Sequence, residues 1–98
     1  MTTTPDHPEQ KLEAIFTATV IADSKSGWPC IQMPNSAEFF GTGKAVKIGG
    51  TVDGYPYEAT MLPVGGGTHM MPLRAAFRKL LAKGMGDEVT VHLTGRFS

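Results

Sequence analysis

The chain has 98 residues, and its nine basic and nine acidic side chains give a formal net charge of zero. This length predicts one domain with a modest hydrophobic core, and the balanced charge argues against a nucleic-acid-binding protein. Cys30 is the only cysteine, which excludes an internal disulfide, a cysteine-rich zinc site and a CxxC redox pair.

The N-terminal segment differs in composition from the rest. Residues 1–11 are polar and contain proline, and we expect them to form a disordered tail ahead of a single β-barrel domain over residues 12–98. The segment lacks the apolar stretch of a signal peptide, and nowhere are there about 18 consecutive apolar residues. The sequence therefore predicts a cytoplasmic protein without a membrane partner.

The first half of the chain predicts short strands and turns. Alternation from Ala14 to Ile21 is typical of a first strand, although Ile15 and Ile21 place apolar groups on its polar face. The elements expected next are a turn at 23–27, a strand at 28–33 ended by Pro34, and one helical turn at 35–40 with Asn35 or Ser36 as N-cap and Gly41 as its stop.

Asp53-Gly54 is the strongest local signal, because it separates two alternating segments. A two-residue type I′ turn needs positive φ at both central positions, which Asp and Gly tolerate. In the register that follows, one face is apolar and pairs Val46 with Met61, Ile48 with Ala59, Gly50 with Tyr57 and Val52 with Tyr55. The other face is mostly polar and pairs Lys47 with Thr60, Gly49 with Glu58 and Thr51 with Pro56. A one-residue slip would turn the apolar set outward.

The second half predicts a glycine-rich loop at 63–68, a helix at 73–83 and a last strand at 89–94. Pro72 suits the first helical turn and Gly84 the C-terminal cap. The apolar stripe of the helix is Leu73, Ala76, Phe77, Leu80 and Leu81. The fold class is therefore mainly β: a small antiparallel barrel of about six strands with one α-helix and a short helical turn.

The glycine-rich loop is the most suggestive candidate for a ligand-binding segment. Consecutive glycines expose backbone amides that can bind an anion, whereas the alternative is a connector that only turns the chain. It is not a P-loop, since no Gly-Lys-Ser/Thr follows. The candidate ligand-binding residues are Gly65, Gly66, Gly67, Thr68 and His69, with Arg78 and Lys47 as polar anchors.

His69 is a weak candidate for a catalytic acid or base, because histidine titrates near neutral pH. It serves equally well as a brace for the loop. His92 is expected to be solvated on the polar face of the last strand. The three histidines have no zinc-site spacing, so neither a metal nor a cofactor is predicted.

The predicted helix carries only positive charges, at Arg74, Arg78, Lys79 and Lys83. They favour either phosphate or carboxylate recognition or a solvated outer face. Arg78 lies beside the apolar stripe, so its guanidinium can turn inward toward the glycine loop or a carboxylate.

Aromatic residues in a small barrel are more typical of core than of a ligand cavity, and this interpretation covers Trp28, Tyr55 and Tyr57. Cys30 is read as a small buried hydrophobe.

From Phe16 onward the chain carries a series of short motifs. They are, in order, Trp28 with Ile31 and Pro34, Gly43, 46–54, Tyr55-Pro56-Tyr57, Thr60, Leu62-Pro63, 65–69, Pro72-Leu73, Arg78-Lys79, Gly86-Asp87 and 89–91. On these motifs the chain resembles the small bacterial and archaeal domain-of-unknown-function family 1905. The resemblance implies a closed or pseudo-barrel of antiparallel strands, related to the double-split barrels of transition-state regulators and antitoxins. It implies no activity and carries over no catalytic residue.

Together these observations predict a non-enzymatic binding module for a small ligand or a protein partner, either a monomer or a homodimer. Two alternatives stay open. One is a small enzyme that uses His69 as acid or base, and the other is a dimeric DNA-binding barrel that uses the basic helix.

Overall fold

The structure is a computed structural model that describes residues 10–97. Within that range, seven antiparallel strands form one curled, half-barrel sheet with two short helices. In chain order the elements are β1 (Gln10–Thr19), β2 (Ile21–Ala22), β3 (Pro29–Met33), α1 (Ser36–Phe40), β4 (Val46–Val52), β5 (Tyr55–Gly65), β6 (Thr68–Pro72), α2 (Ala75–Leu81) and β7 (Glu88–Arg96). The predicted mainly β class is confirmed, with one strand more than expected.

The sheet curls because its two terminal strands are consecutive in the chain. The strand order is β1-β7-β4-β5-β6-β3-β2, and only Val20 separates β1 from β2. Val20 bonds to the turn before β7: its N–H donates to the Asp87 carbonyl and its carbonyl accepts from the Gly86 N–H, both at 2.8 Å. The chain therefore pairs with β7 before Val20, through β1, and with β3 after Val20, through β2.

The register predicted for the β4–β5 hairpin is confirmed at every pair, from Val46–Met61 to Val52–Tyr55. Asp53 has a φ of 51° and Gly54 a φ of 84°, as a type I′ turn requires. The apolar face of this hairpin points into the core, which is formed by Val20, Ile31, Met33, Phe40, Val46, Ile48, Val52, Tyr57, Met61, Met71, Leu73, Val89, Val91 and Leu93. Lys47 lies on the opposite, exposed face.

The predicted glycine-rich loop is a hairpin turn rather than a long connector. β5 extends to Gly65 and β6 begins at Thr68, so only Gly66 and Gly67 form the turn, both with positive φ. β6 was not predicted. It lies between β5 and β3 in the sheet, and three consecutive residues from His69 to Met71 are buried, so it lacks the alternation of a half-exposed strand.

The α2 helix is shorter than the predicted 73–83. Pro72 belongs to β6, and the helix ends at Leu81 with Ala82, whose φ is 57°, as its C-cap in place of Gly84. Leu80, predicted to face the core, is 57% exposed. The helix packs through Phe77, whose ring centroid lies 4.1 Å from that of Tyr57, and it therefore covers one margin of the core instead of a whole sheet face.

The other predicted elements lie close to their expected positions. The turn before β3 and the helical turn of α1 with Asn35 as N-cap and Gly41 as C-cap are confirmed. Gln10 and Lys11, assigned to the tail by sequence, are part of β1; residues 1–9 of that tail lie outside the described residues. No helix in residues 10–97 is long and apolar enough to cross a bilayer.

Asp53 joins the hairpin turn to β7 and to the segment after α2. Its N–H donates to the Thr90 carbonyl and its carboxylate accepts from the Thr90 N–H, both at 2.8 Å, while Lys83 Nζ lies 2.7 Å from the second oxygen. Partial burial raises the pKa of the Asp53 carboxyl, but the hydrogen bonds from Lys83 and Thr90 and the Lys83 charge outweigh it. The net pKa therefore lies below the ordinary value of 3.8.

We expect Asp53→Asn to lower the free energy of unfolding by about 0.5–1 kcal/mol at neutral pH. Asparagine tolerates positive φ and keeps an acceptor for Thr90, so the substitution isolates the charge. Because the folded-state pKa is depressed, the wild-type advantage is full above the unfolded-state pKa and is lost as the pH falls through the folded-state pKa. Urea unfolding of both proteins between about pH 7 and about pH 2 measures this difference. An advantage that is unchanged at the acidic end would contradict the assignment.

Candidate functional site

The β5–β6 hairpin tip packs against α1. The Gly67 carbonyl accepts from the Ala37 N–H at 3.1 Å, and its oxygen lies 3.5 Å from Ser36 Oγ. Gly65, Gly66 and Gly67 are exposed and Thr68 is half-buried. The tip is thus anchored through a carbonyl to the neighbouring helix.

His69 is buried in the core with no exposed surface. Its N–H donates to Ser36 Oγ at 2.6 Å, its Nδ1 lies 2.7 Å from the same oxygen, and its Nε2 lies 2.7 Å from the Lys44 carbonyl. A carbonyl only accepts, so Nε2 carries a proton, and in the neutral ring Nδ1 accepts from Ser36. The Phe40 ring packs edge-on against the imidazole at 5.4 Å.

This geometry makes His69 a brace between β6, α1 and the segment before β4. A catalytic base needs a ring nitrogen within reach of a substrate, and both nitrogens of His69 are bonded inside the protein. Cys30 is also fully buried, and burial raises the pKa of its thiol, with the nearby Asp23 charge adding to the effect. Neither residue has the exposure that reactive groups require.

A concave surface lies where β3, β6 and the start of α2 meet. It has a volume of about 380 Å³ and is lined by Trp28, Pro29, Pro72, Leu73, Arg74, Ala75 and Arg78. We call it the Trp28 cleft. β3 and β6 pair with Cys30 opposite Pro72, and the Leu73 N–H donates to the Pro29 carbonyl at 3.0 Å. Sheet pairing therefore joins side chains that are far apart in sequence.

Trp28 is 59% exposed, contrary to the prediction that it belongs to the core, and Tyr55 is also exposed. The cause is the turn before Trp28, where Asp23 Oδ2 accepts from the N–H of Ser26 at 2.9 Å and from its hydroxyl at 2.8 Å. These bonds hold the pKa of the Asp23 carboxyl below its ordinary value. Ser26 Oγ in turn accepts from the Trp28 N–H, so the turn fixes the backbone where the indole leaves the sheet.

The two arginines of the cleft are each held by contacts within the protein. Arg78 Nε donates to the Leu73 carbonyl at 3.1 Å, instead of reaching the glycine loop or a carboxylate as predicted. The Arg74 guanidinium stacks 4.4 Å above the Tyr57 ring and donates to the Glu58 carbonyl at 2.9 Å. Neither arginine forms an ion pair with a carboxylate among residues 10–97, in contrast to Lys83 with Asp53 and His92 with Glu13.

Lys47 lies in a neighbouring cleft of about 420 Å³, together with Glu58, Thr60, Arg74 and Phe97. Arg74 lines both clefts and separates them. Among the predicted site residues, Arg78 lies in the Trp28 cleft and Lys47 in this second one, whereas the hairpin residues from Gly65 to His69 line neither. The structure therefore does not bring the predicted residues into one site.

Within residues 10–97, no group of three or more His, Cys, Asp or Glu side chains is arranged to hold a metal ion. A comparison with curated proteins finds no match to the sequence. A comparison with protein families does find one, and it agrees with the resemblance drawn from the motifs. Residues 16–93 match the model of the family described as Domain of unknown function (DUF1905), and the chain belongs to that family.

Proposed function

We propose that the protein is a non-enzymatic binding module and that the Trp28 cleft is its binding site. The observation that carries the proposal is an exposed tryptophan beside two arginines that have no carboxylate partner among the described residues. Tryptophan and arginine are the residue types that contribute most to binding energy at interfaces. The volume of the cleft is at the lower end of the range of about 300–1,000 Å³ typical of ligand pockets, which favours a small ligand or one side chain of a partner.

The lining of the cleft supports binding over catalysis. Its side chains come from Trp, Pro, Leu, Ala and Arg, and none of them is a nucleophile or a general base near neutral pH. His69, the candidate for acid–base chemistry, is buried elsewhere with both ring nitrogens bonded. The residues that surround the cleft suit recognition and do not suit proton transfer.

The helix charges give little support to the alternative of DNA binding. Arg74 and Arg78 line the Trp28 cleft, while Lys83 is paired with Asp53. A phosphate backbone is contacted by several cations at once, and the zero net charge supplies no long-range attraction. The positive charges of the predicted helix thus have two different roles, since two of them line the cleft and one forms an ion pair.

A fragment screen by heteronuclear NMR tests the proposal. Trp28 is the only tryptophan, so its indole N–H gives a single side-chain signal at the site. We expect bound fragments to shift that signal and the amides of Leu73 and Ala75, and Trp28→Ala to abolish binding. Tyr55→Ala removes another exposed aromatic residue, outside the cleft, and is the matched control. Hits that cluster at Gly65–Gly67, or the absence of any hit at the cleft, would overturn it.

A further inference from the structure

We propose that the Trp28 cleft binds a flat organic anion, an aromatic carboxylate being the simplest example. This inference rests on the proposed binding role and adds the chemical class of the ligand. Three features support it: the polar groups that line the cleft, the shape and polarity of its walls, and the way its arginines are held.

Three backbone carbonyls of the cleft each accept one hydrogen bond from within the protein. The Pro29 carbonyl accepts from the Leu73 N–H, the Pro72 carbonyl accepts from the Tyr57 hydroxyl at 2.6 Å, and the Leu73 carbonyl accepts from Arg78 Nε. No acidic side chain lines the cleft. Its side chains therefore offer a ligand hydrogen-bond donors and positive charge but no acceptor, which disfavours cations.

The walls of the cleft favour a flat apolar body. Two prolines, Leu73 and Ala75 form apolar surface, and the exposed indole of Trp28 provides an aromatic face for stacking. A bare inorganic anion would leave that surface in contact with water. A ligand with both an aromatic ring and a carboxylate uses the indole and the arginines together.

The arginines are positioned before a ligand arrives. Arg78 is fixed through Nε to the Leu73 carbonyl, which leaves the two terminal amino groups of its guanidinium for a bidentate contact. Arg74 is restrained by the Tyr57 ring and the Glu58 carbonyl. Because less side-chain freedom is lost on binding, such restrained donors increase affinity for a carboxylate.

The test is a titration with three probes that share a naphthalene ring: 2-naphthoate, its neutral amide 2-naphthamide, and the cation 2-naphthylmethylammonium. We expect 2-naphthoate to shift the Trp28 indole signal in a saturable manner and to bind about tenfold or more tightly than the amide, as a charged hydrogen-bonded pair gives. The cation is expected to bind more weakly still.

Two helix variants identify the source of the selectivity. Arg78→Gln should remove most of the preference for naphthoate over the amide, because Arg74 is then the remaining cation of the cleft. Lys79→Gln, which removes a charge from the same helix outside the cleft, should change naphthoate binding less than about twofold. Circular dichroism checks that both variants are folded, and Arg78→Lys, which keeps the charge without the planar fork, should lie between them. If Arg78→Gln does not fold, the comparison of Arg78→Lys with Lys79→Gln decides.

Each outcome has a defined meaning. Equal binding of naphthoate and the amide would overturn the anionic class while leaving a binding module, because the aromatic body alone would account for affinity. If Lys79→Gln also loses the preference for naphthoate over the amide, the preference comes from the summed positive charge of the helix and not from the cleft. That result also overturns the inference. If no naphthalene probe moves the Trp28 signal, the ligand class is wrong, and the fragment screen then decides separately whether the cleft binds anything.

Discussion

Replacing Gly50 with alanine is expected to lower the free energy of unfolding by about 3 kcal/mol or more. A Cβ atom built at this position would lie 2.0 Å from the His92 carbonyl oxygen and 3.0 Å from the Leu93 Cα. Both atoms are backbone atoms of β7, next to the irregular register between Gly49 and Gly50. No side-chain rotation relieves this contact, so β4 and β7 must separate. A domain of this size is stabilised by only about 5–15 kcal/mol, so the loss is a large fraction of the total.

Two other glycines provide graded controls for this prediction. At Gly49 an added Cβ would meet the edge of the Phe97 ring at 3.0 Å, and a side chain can rotate where backbone cannot, so a smaller loss of about 1 kcal/mol is expected. At Gly43 nothing lies within 4 Å and φ is not positive, so alanine should change stability by less than about 0.5 kcal/mol. Urea unfolding of the three variants measures the order. A Gly50→Ala protein as stable as Gly43→Ala would show that the β4–β7 contact is not tight.

The parts of the fold that sequence predicts correctly are those specified locally. The β4–β5 hairpin depends on a turn dipeptide and on alternation within neighbouring residues, and all of its pairs are confirmed. β6 depends on long-range burial instead. His69, Met70 and Met71 are all buried, so both faces of β6 are covered there and the alternation that identifies a half-exposed strand is absent. The α2 stripe is a real pattern in the sequence, but tertiary packing decides which of its members are covered, and Leu80 is not.

The candidate site was less predictable than the fold. The spacing of Arg74 and Arg78 indicates two cations on one helix face. The sequence suggests that Arg78 turns toward the glycine loop or a carboxylate, whereas its Nε donates to the Leu73 carbonyl. Nothing in the sequence places Trp28 beside them, because that neighbourhood depends on the pairing of β3 with β6. The absence of an acidic side chain from the lining of the cleft, on which the selection for an anion rests, is likewise visible only in three dimensions.

His69 shows why residue type alone is a poor guide to chemistry. A histidine after a glycine-rich turn suits an acid–base role, and the sequence also permitted the structural alternative. Its partner Ser36 is 33 residues away and lies on α1, so the hydrogen bonds that occupy Nδ1 and Nε2 have no local signature. The surroundings of the ring make it part of the core, and replacement should therefore change stability.

His69→Ala is expected to lower the free energy of unfolding by about 3 kcal/mol or more. Removing the ring leaves a cavity next to Phe40. The Lys44 carbonyl and the Ser36 hydroxyl each lose the ring nitrogen to which they are hydrogen-bonded. Large-to-small core substitutions cost about 2–5 kcal/mol, and an unsatisfied buried polar group adds about 1–3 kcal/mol. His69→Phe refills most of the volume but restores no hydrogen bond, so it should regain only the cavity part of the loss.

His92→Ala is the matched control, because His92 lies half-buried on the outer face of β7 and its 3.0 Å contact with Glu13 is at the surface. Such pairs contribute at most about 1 kcal/mol. Urea unfolding of the three variants and the wild type gives the comparison directly. A His69→Ala protein that is as stable as His92→Ala would contradict the role of a brace and would return His69 to the candidates for chemistry. A large loss confined to His69 would instead explain its position beside the glycine turn: the turn brings β6 back along β5 and places the ring where it holds α1 to the sheet.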